Sequence, residues 1–138
     1  MKNNLMKNLH PNKKIFQRCI KIAQKSLDLP TSHNKHFSFL IFKNKILSFG
    51  YSLGFTTHPI AKQYKYRFNA VHSELKSILD FPAPPRFLKR CFLINIRIMP
   101  DGSLGMSKPC AKCQQLLKDF SINKVYYSNR NEIFEEMF

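Results

Sequence analysis

Apolar and polar positions alternate in several distinct periods along this chain. From Lys13 to Leu27 the apolar residues Ile15, Phe16, Cys19, Ile20, Ala23 and Leu27 recur at helical spacing, while Lys14, Arg18, Lys21 and Lys25 fall mostly elsewhere. That stripe predicts an amphipathic helix packed on a sheet, with Pro11 suited to its first turn. His36–Lys43 and Ile46–Tyr51 are β-rich runs on either side of Asn44-Lys45, which predicts a hairpin. Residues 52–68 read as irregular. Asn69 is a candidate N-cap for a helix reaching Leu79, and the prolines at 82, 84 and 85 end it in a loop. Arg90–Met99 is the strongest strand, with Ile94, Ile96 and Ile98 alternating with Asn95 and Arg97. Residues 100–108 read as turn and loop, Cys110–Phe120 as a helix behind Pro109, Lys124–Ser128 as a short strand, and Glu132–Phe138 as an edge strand.

Strands alternating with helices after an initial hairpin predict a three-layer αβα sandwich around a mixed sheet of four to five strands. Residues 1–138 are expected to form one domain, with 1–10 frayed. Hydrophobic residues make up 43% and Phe alone occurs 13 times, enough for a single core. No uninterrupted apolar run approaches the length of a membrane span, and no apolar leader segment follows the start, so a cytoplasmic protein without a membrane partner is expected.

Charge changes the picture next. Lys and Arg number 23 against 8 acidic residues, a net charge of +15. Such a field favours phosphorylated or polyanionic partners, which leaves open both small nucleotides and single-stranded nucleic acid. The segment Lys62-Gln63-Tyr64-Lys65-Tyr66-Arg67-Phe68 interleaves cations with rings, a pattern that can stack on bases or equally tuck its rings into the core.

Two short fragments carry chemistry. His72-Ser73-Glu74 lies on one predicted helix, and Pro109-Cys110-Ala111-Lys112-Cys113 opens another. Thiolate and imidazole are preferred ligands of Zn²⁺, and catalytic sites use three protein ligands, whereas structural sites use four. Cys110 and Cys113 on a first helical turn can face one ion, with His72 as the third ligand. Positions i and i+2 diverge inside a helix, so His72 and Glu74 converge on one ion only at the helix tip. Glu74 is then free to move protons. A structural site completed by Cys19, Cys91, His33, His36 or His58, and a redox C-x-x-C pair, are the competing readings. Cys19 and Cys91 sit among apolar neighbours and read as buried thiols.

His72-Ser73-Glu74 together with Pro109–Cys113 resembles the active-site signature of the cytidine/deoxycytidylate deaminase-like zinc superfamily, and the predicted element order resembles its fold over most of residues 12–138. The resemblance implies that His72, Cys110 and Cys113 hold Zn²⁺ and that Glu74 is the general acid/base. The implied reaction is hydrolytic loss of ammonia from C4 of a cytosine nucleoside or nucleotide, with deamination of single-stranded DNA or RNA, or a non-enzymatic nucleic-acid-binding module with structural zinc, as alternatives. Thr57-His58-Pro59, Gly105–Cys110 and Val125–Ser128 are similar to segments of phage-borne members. Three positions depart from the family pattern. Ser73 stands where Ala is usual, Ser52 follows Gly50 where Asn is usual, and Lys108 precedes Pro109-Cys110 where Ser is frequent. Ser52, His58, Tyr64, Tyr66, Ser73 and Lys108 are the expected substrate contacts, and assembly into a homo-oligomer is expected by the same resemblance.

Overall fold

The computed structural model describes residues 12–29, 35–53, 58–66, 70–131 and 134–138. Helix α1 (Lys13–Lys25) begins where the Asn12 side chain accepts the Ile15 N–H at 3.0 Å, and it buries Ile15, Cys19 and Ala23. The proposed roles of Pro11 and Asn69 lie outside the described residues. Strands β1 (His36–Phe42) and β2 (Lys45–Tyr51) form the expected hairpin. Its positive-φ residues are Lys43 and Asn44, one position earlier than Asn44-Lys45. This is the backbone that a tight two-residue hairpin turn requires. Asn44 Oδ1 also accepts the Asn12 N–H at 3.1 Å, so the turn is tied to the start of α1.

Helix α2 (Pro59–Gln63) and the 3-10 helix Pro85–Arg90 occupy stretches expected to be irregular. In both, proline at the first helical position costs no hydrogen bond. Helix α3 (Ser73–Leu79), β3 (Phe92–Ile98), β4 (Leu104–Gly105), α4 (Ala111–Asp119), β5 (Lys124–Ser128) and β6 (Phe134–Met137) complete the order.

The strands form one mixed sheet in the order β2-β1-β3-β5-β6. Among the described residues only β3 and β5 run parallel; the other pairs are antiparallel. The sheet has six strands rather than four to five, because β4 pairs with Arg97 and Ile98, next along β3 from the stretch that pairs with β5. On one face α1 covers a core of Phe37, Phe39, Ile41, Ile94 and Ile96. On the other, α3 and α4 cover Leu40, Leu93, Leu75, Leu116, Leu117 and Val125. These are the three layers expected.

The second face changes character along its length. Leu40 pairs with Leu93, Ser38 with Asn95, and His36 with Arg97. Every second residue of a strand faces the same side. The face therefore runs from apolar core through buried polar groups to the pair His36 and Arg97. Gly50, opposite Ser38 on β2, lets α3 approach closely: a Cβ there would lie 2.4 Å from Ser73 O and 2.4 Å from Ser77 N. Among the described residues no helix is long and apolar enough to cross a membrane.

Candidate metal centre

His72 is positioned from both sides. Before it, Leu53 and Val71 exchange two backbone hydrogen bonds of 2.9 Å. After it, α3 is seated on Gly50, with Ser48 Oγ donating to Ser77 O at 2.5 Å. His72 itself is the N-cap, in an extended conformation (φ −70°, ψ 156°), and makes no side-chain capping bond. That conformation removes the objection from helical spacing: the imidazole leaves the backbone before the helix begins, while Glu74 leaves from its first turn.

Cys110 occupies the equivalent place on α4. It is the N-cap (φ −66°, ψ 166°), and its sulfur receives the Cys113 N–H at 3.5 Å. The preceding loop is anchored by Ser107, whose N–H donates to Ser128 O at 2.9 Å, and by Gln114, whose amide donates to Pro109 O at 2.8 Å.

These two helix starts bring three ligand atoms together. His72 Nδ1 lies 3.8 Å from Cys110 Sγ and 3.5 Å from Cys113 Sγ, and all three donor atoms fall within 4.8 Å of one another. Tetrahedral zinc with ordinary Zn–S and Zn–N bonds needs about 3.6 Å between sulfur and nitrogen. The donor set and its spacing therefore fit Zn²⁺. Among the described residues no fourth His, Cys, Asp or Glu joins the group, and His33 lies outside them. Of the other proposed fourth ligands, Cys19 and Cys91 are buried thiols as expected, and burial pushes them up to about 12 and about 11.

The electrostatics separate the two sulfurs. The hydrogen bond from Cys113 pulls Cys110 down to about 4, with His72 and the Cys113 backbone N–H adding to the effect. Burial pushes the Cys113 thiol well up. A bound divalent cation would favour thiolate at both positions. The hydrogen bond with Cys110 raises His72 above its ordinary value, against the effect of burial. Tyr66 OH lies 2.8 Å from Cys113 Sγ, and its ring centroid is 4.3 Å from that of His72. A thiolate has no proton to give, so in the metal-bound state the phenol is the donor. Burial also pushes the Tyr66 phenol upward.

Glu74 is buried beside this cluster, and both His72 and Cys113 feel its charge. Ser73 Oγ donates to Glu74 Oε1 at 3.0 Å, and Asn95 Nδ2 donates to Oε2 at 3.0 Å. Ser38 Oγ lies 2.5 Å from Asn95 Oδ1 and 2.8 Å from Ser73 Oγ. Sequence reasoning missed Ser38 and Asn95. Their signal was a polar side chain inside an otherwise apolar strand. Burial lowers the His36 pKa at the mouth of this face, Glu74 opposes that shift, and Arg97 adds to it.

The expected substrate contacts are scattered. Ser73 lies inside the buried network and Tyr66 beside the sulfurs. Ser52 follows β2, with its N–H pointing to His36 O at 3.4 Å. Lys108 is exposed on the anchored loop. His58 caps α2, its Nδ1 accepting the Ile60 N–H at 3.1 Å. Tyr64 turns away, its hydroxyl donating to Asp119 at 2.5 Å. Lys112 Nζ donates to Lys65 O, which ties this segment to the start of α4.

No family model matches the sequence, and no curated protein matches it. Solved structures do. A dCMP deaminase from the cyanophage S-TIM5, in complex with dCMP and dUMP, superposes with a TM-score of 0.58 at 15% identity, covering 87% of this chain and 85% of that one. The same enzyme in apo form gives 0.53 at 17% identity, covering 86% and 85%. The architecture of this chain is accordingly the fold of that dCMP deaminase.

Proposed function

We propose that this protein is a zinc-dependent hydrolytic deaminase that converts a cytosine nucleoside or nucleotide to its uracil form and releases ammonia. The observation that carries the reading is the three-donor cluster of His72, Cys110 and Cys113 with a buried carboxylate beside it. Zinc, when bound, lowers the pKa of water towards neutrality. The rest falls to the chain. Glu74 takes one proton of the attacking water and delivers it to the ring nitrogen of the base. Glu74 then carries the second from the added oxygen to the departing amine, which leaves as ammonia. Ser73 and Asn95 hold its carboxylate oxygens in place. The helix starts at Cys110 and Ser73 favour the thiolate and a polarised carbonyl.

A nucleotide substrate is favoured over a polymer. The cyanophage enzyme with this fold was captured with dCMP and dUMP; the net charge of +15 suits either kind of phosphate-bearing partner and does not choose between them. A strand-binding role for the 62–68 segment would need rings free to stack. The hydroxyls of Tyr64 and Tyr66 are instead engaged by Asp119 and Cys113, and both rings pack on the core.

The test is ammonia release and uracil formation from cytidine, deoxycytidine, CMP, dCMP and cytosine-containing oligonucleotides. Glu74→Gln is expected to bind zinc with unchanged stoichiometry and to lose at least about 10³-fold in kcat. Full activity in Glu74→Gln overturns the mechanism. Activity confined to oligonucleotides, falling steeply with salt, overturns the choice of substrate.

A further inference from the structure

We propose that Asn95 is a positioning residue: its single side-chain amide holds the Glu74 carboxylate in register with the loop that leads into Cys110. The inference rests on the deaminase reading of the site. Asn95 is 2% exposed in the middle of β3, between Ile94 and Ile96, where an unpartnered amide would destabilise the fold. Its orientation is dictated by its neighbours. Nδ2 faces Glu74 Oε2 at 3.0 Å and the Ser107 carbonyl at 3.2 Å, neither of which can donate. The amide nitrogen must therefore sit there, and Oδ1 must accept from Ser38, 2.5 Å away.

This arrangement uses both amide protons. One fixes a carboxylate oxygen of the proton carrier. The other fixes the carbonyl three residues ahead of Cys110. A return contact, Ser107 Oγ to Asn95 O at 2.9 Å, closes the clasp. Among the described residues, the Asn95 side chain is the one that donates both to Glu74 and to the loop before Pro109–Cys113. With both protons committed to protein acceptors, Asn95 has no donor left for a substrate. Its role is to aim Glu74 rather than to bind the base.

Two near-isosteric changes test this in the zinc-loaded enzyme. Asn95→Leu removes the amide without leaving a large void. Asn95→Asp keeps the shape and the bond from Ser38 but replaces the two amide donors by a second carboxyl beside Glu74, with at most one proton shared between the two. Each is expected to lower kcat per zinc-loaded molecule by roughly 10- to 100-fold, the worth of a hydrogen bond to a charged group. KM is expected to stay within about threefold and zinc stoichiometry to be unchanged. A merely structural role would lower the melting temperature and the folded fraction but leave kcat per loaded molecule intact. That result in both variants overturns the proposal.

A second readout needs no turnover: the Asn95 side-chain amide protons, followed by NMR, are expected to exchange slowly and to shift in Glu74→Gln. Rapid exchange in an active enzyme overturns the proposal alone. A protected amide in a protein that deaminates nothing overturns the deaminase reading and leaves the hydrogen-bond assignment standing.

Discussion

Replacing Gly50 by Ala tests how the fold delivers the site. The added Cβ would lie 2.4 Å from Ser73 O, 2.4 Å from Ser77 N and 3.0 Å from Ser77 Cα, all backbone atoms of α3. Ordinary contact begins at 3.4 Å, so the helix must retreat by 3.4 − 2.4, about 1 Å. No rotamer change relieves a clash with backbone. The cost therefore falls near the top of the overpacking range, about 3 kcal/mol. For a domain of this size that is roughly 10–15 °C in melting temperature. Because α3 carries Glu74 and is preceded by His72, the same displacement is expected to lower kcat by about 10²-fold.

Gly105→Ala is the control. There the Cβ meets Met99 Sδ at 2.5 Å and Arg97 Cδ at 3.2 Å, both side-chain atoms that can swing aside. Its expected cost is about 1 kcal/mol, with kcat within a few-fold of wild type. Thermal melts of the zinc-loaded proteins and an ammonia-release assay compare the two. Equal melting shifts, or a Gly50→Ala enzyme with wild-type kcat, would refute the claim that contact with the backbone of α3 sets the site geometry.

Two further outcomes follow from the buried groups. Tyr66→Phe keeps the ring against His72 but removes the hydroxyl 2.8 Å from Cys113 Sγ. Chelator competition should show zinc held about tenfold more weakly, with little change in the melting of the metal-free protein. Burial raises Cys19 from 9.0 to about 12, so between those values the folded chain keeps a proton that the unfolded chain releases. Its stabilising contribution is complete below pH 9 and is lost as pH rises through the folded value. At pH 11 that loss is about 2–3 kcal/mol. Cys19→Val should flatten the alkaline fall in melting temperature; identical slopes for the two proteins would contradict the assignment.

The legible parts of this fold are those whose period matches their burial. The stripe Ile15, Cys19 and Ala23 is the buried face of α1, and the two fragments carrying His72, Cys110 and Cys113 do meet. Short elements escaped because they carry no period. Helix α2 has five residues and β4 two, and β4 is fixed by pairing with Arg97 and Ile98 rather than by any pattern of its own. Asn95 was hidden for a different reason. The alternation Ile94-Asn95-Ile96-Arg97 correctly separates two faces of a strand, and such a pattern ordinarily marks one face as wet. Here α3 and the loop before Cys110 cover that face, so the polar residue is internal and belongs to the site.

The position of the site follows from the pairing of β1 with β3. Leu40–Leu93, Ser38–Asn95 and His36–Arg97 are three successive pairs on one face. They place a dry core, a hydrogen-bonded layer and a polar rim in order along a single sheet surface. A slip of one residue on β3 would send Ile96 to that face and remove Asn95, a partner of Glu74. A slip on β1 would send Phe37 there and remove Ser38, the partner of Asn95. The opposite face prevents the slip, because Phe37, Phe39, Ile94 and Ile96 are completely buried beneath α1 and would have to be exposed. The apolar core on the side away from His72, Cys110 and Cys113 thus holds the polar layer in register, and mutations there should impair the proposed catalysis through Ser38 and Asn95 without touching the site.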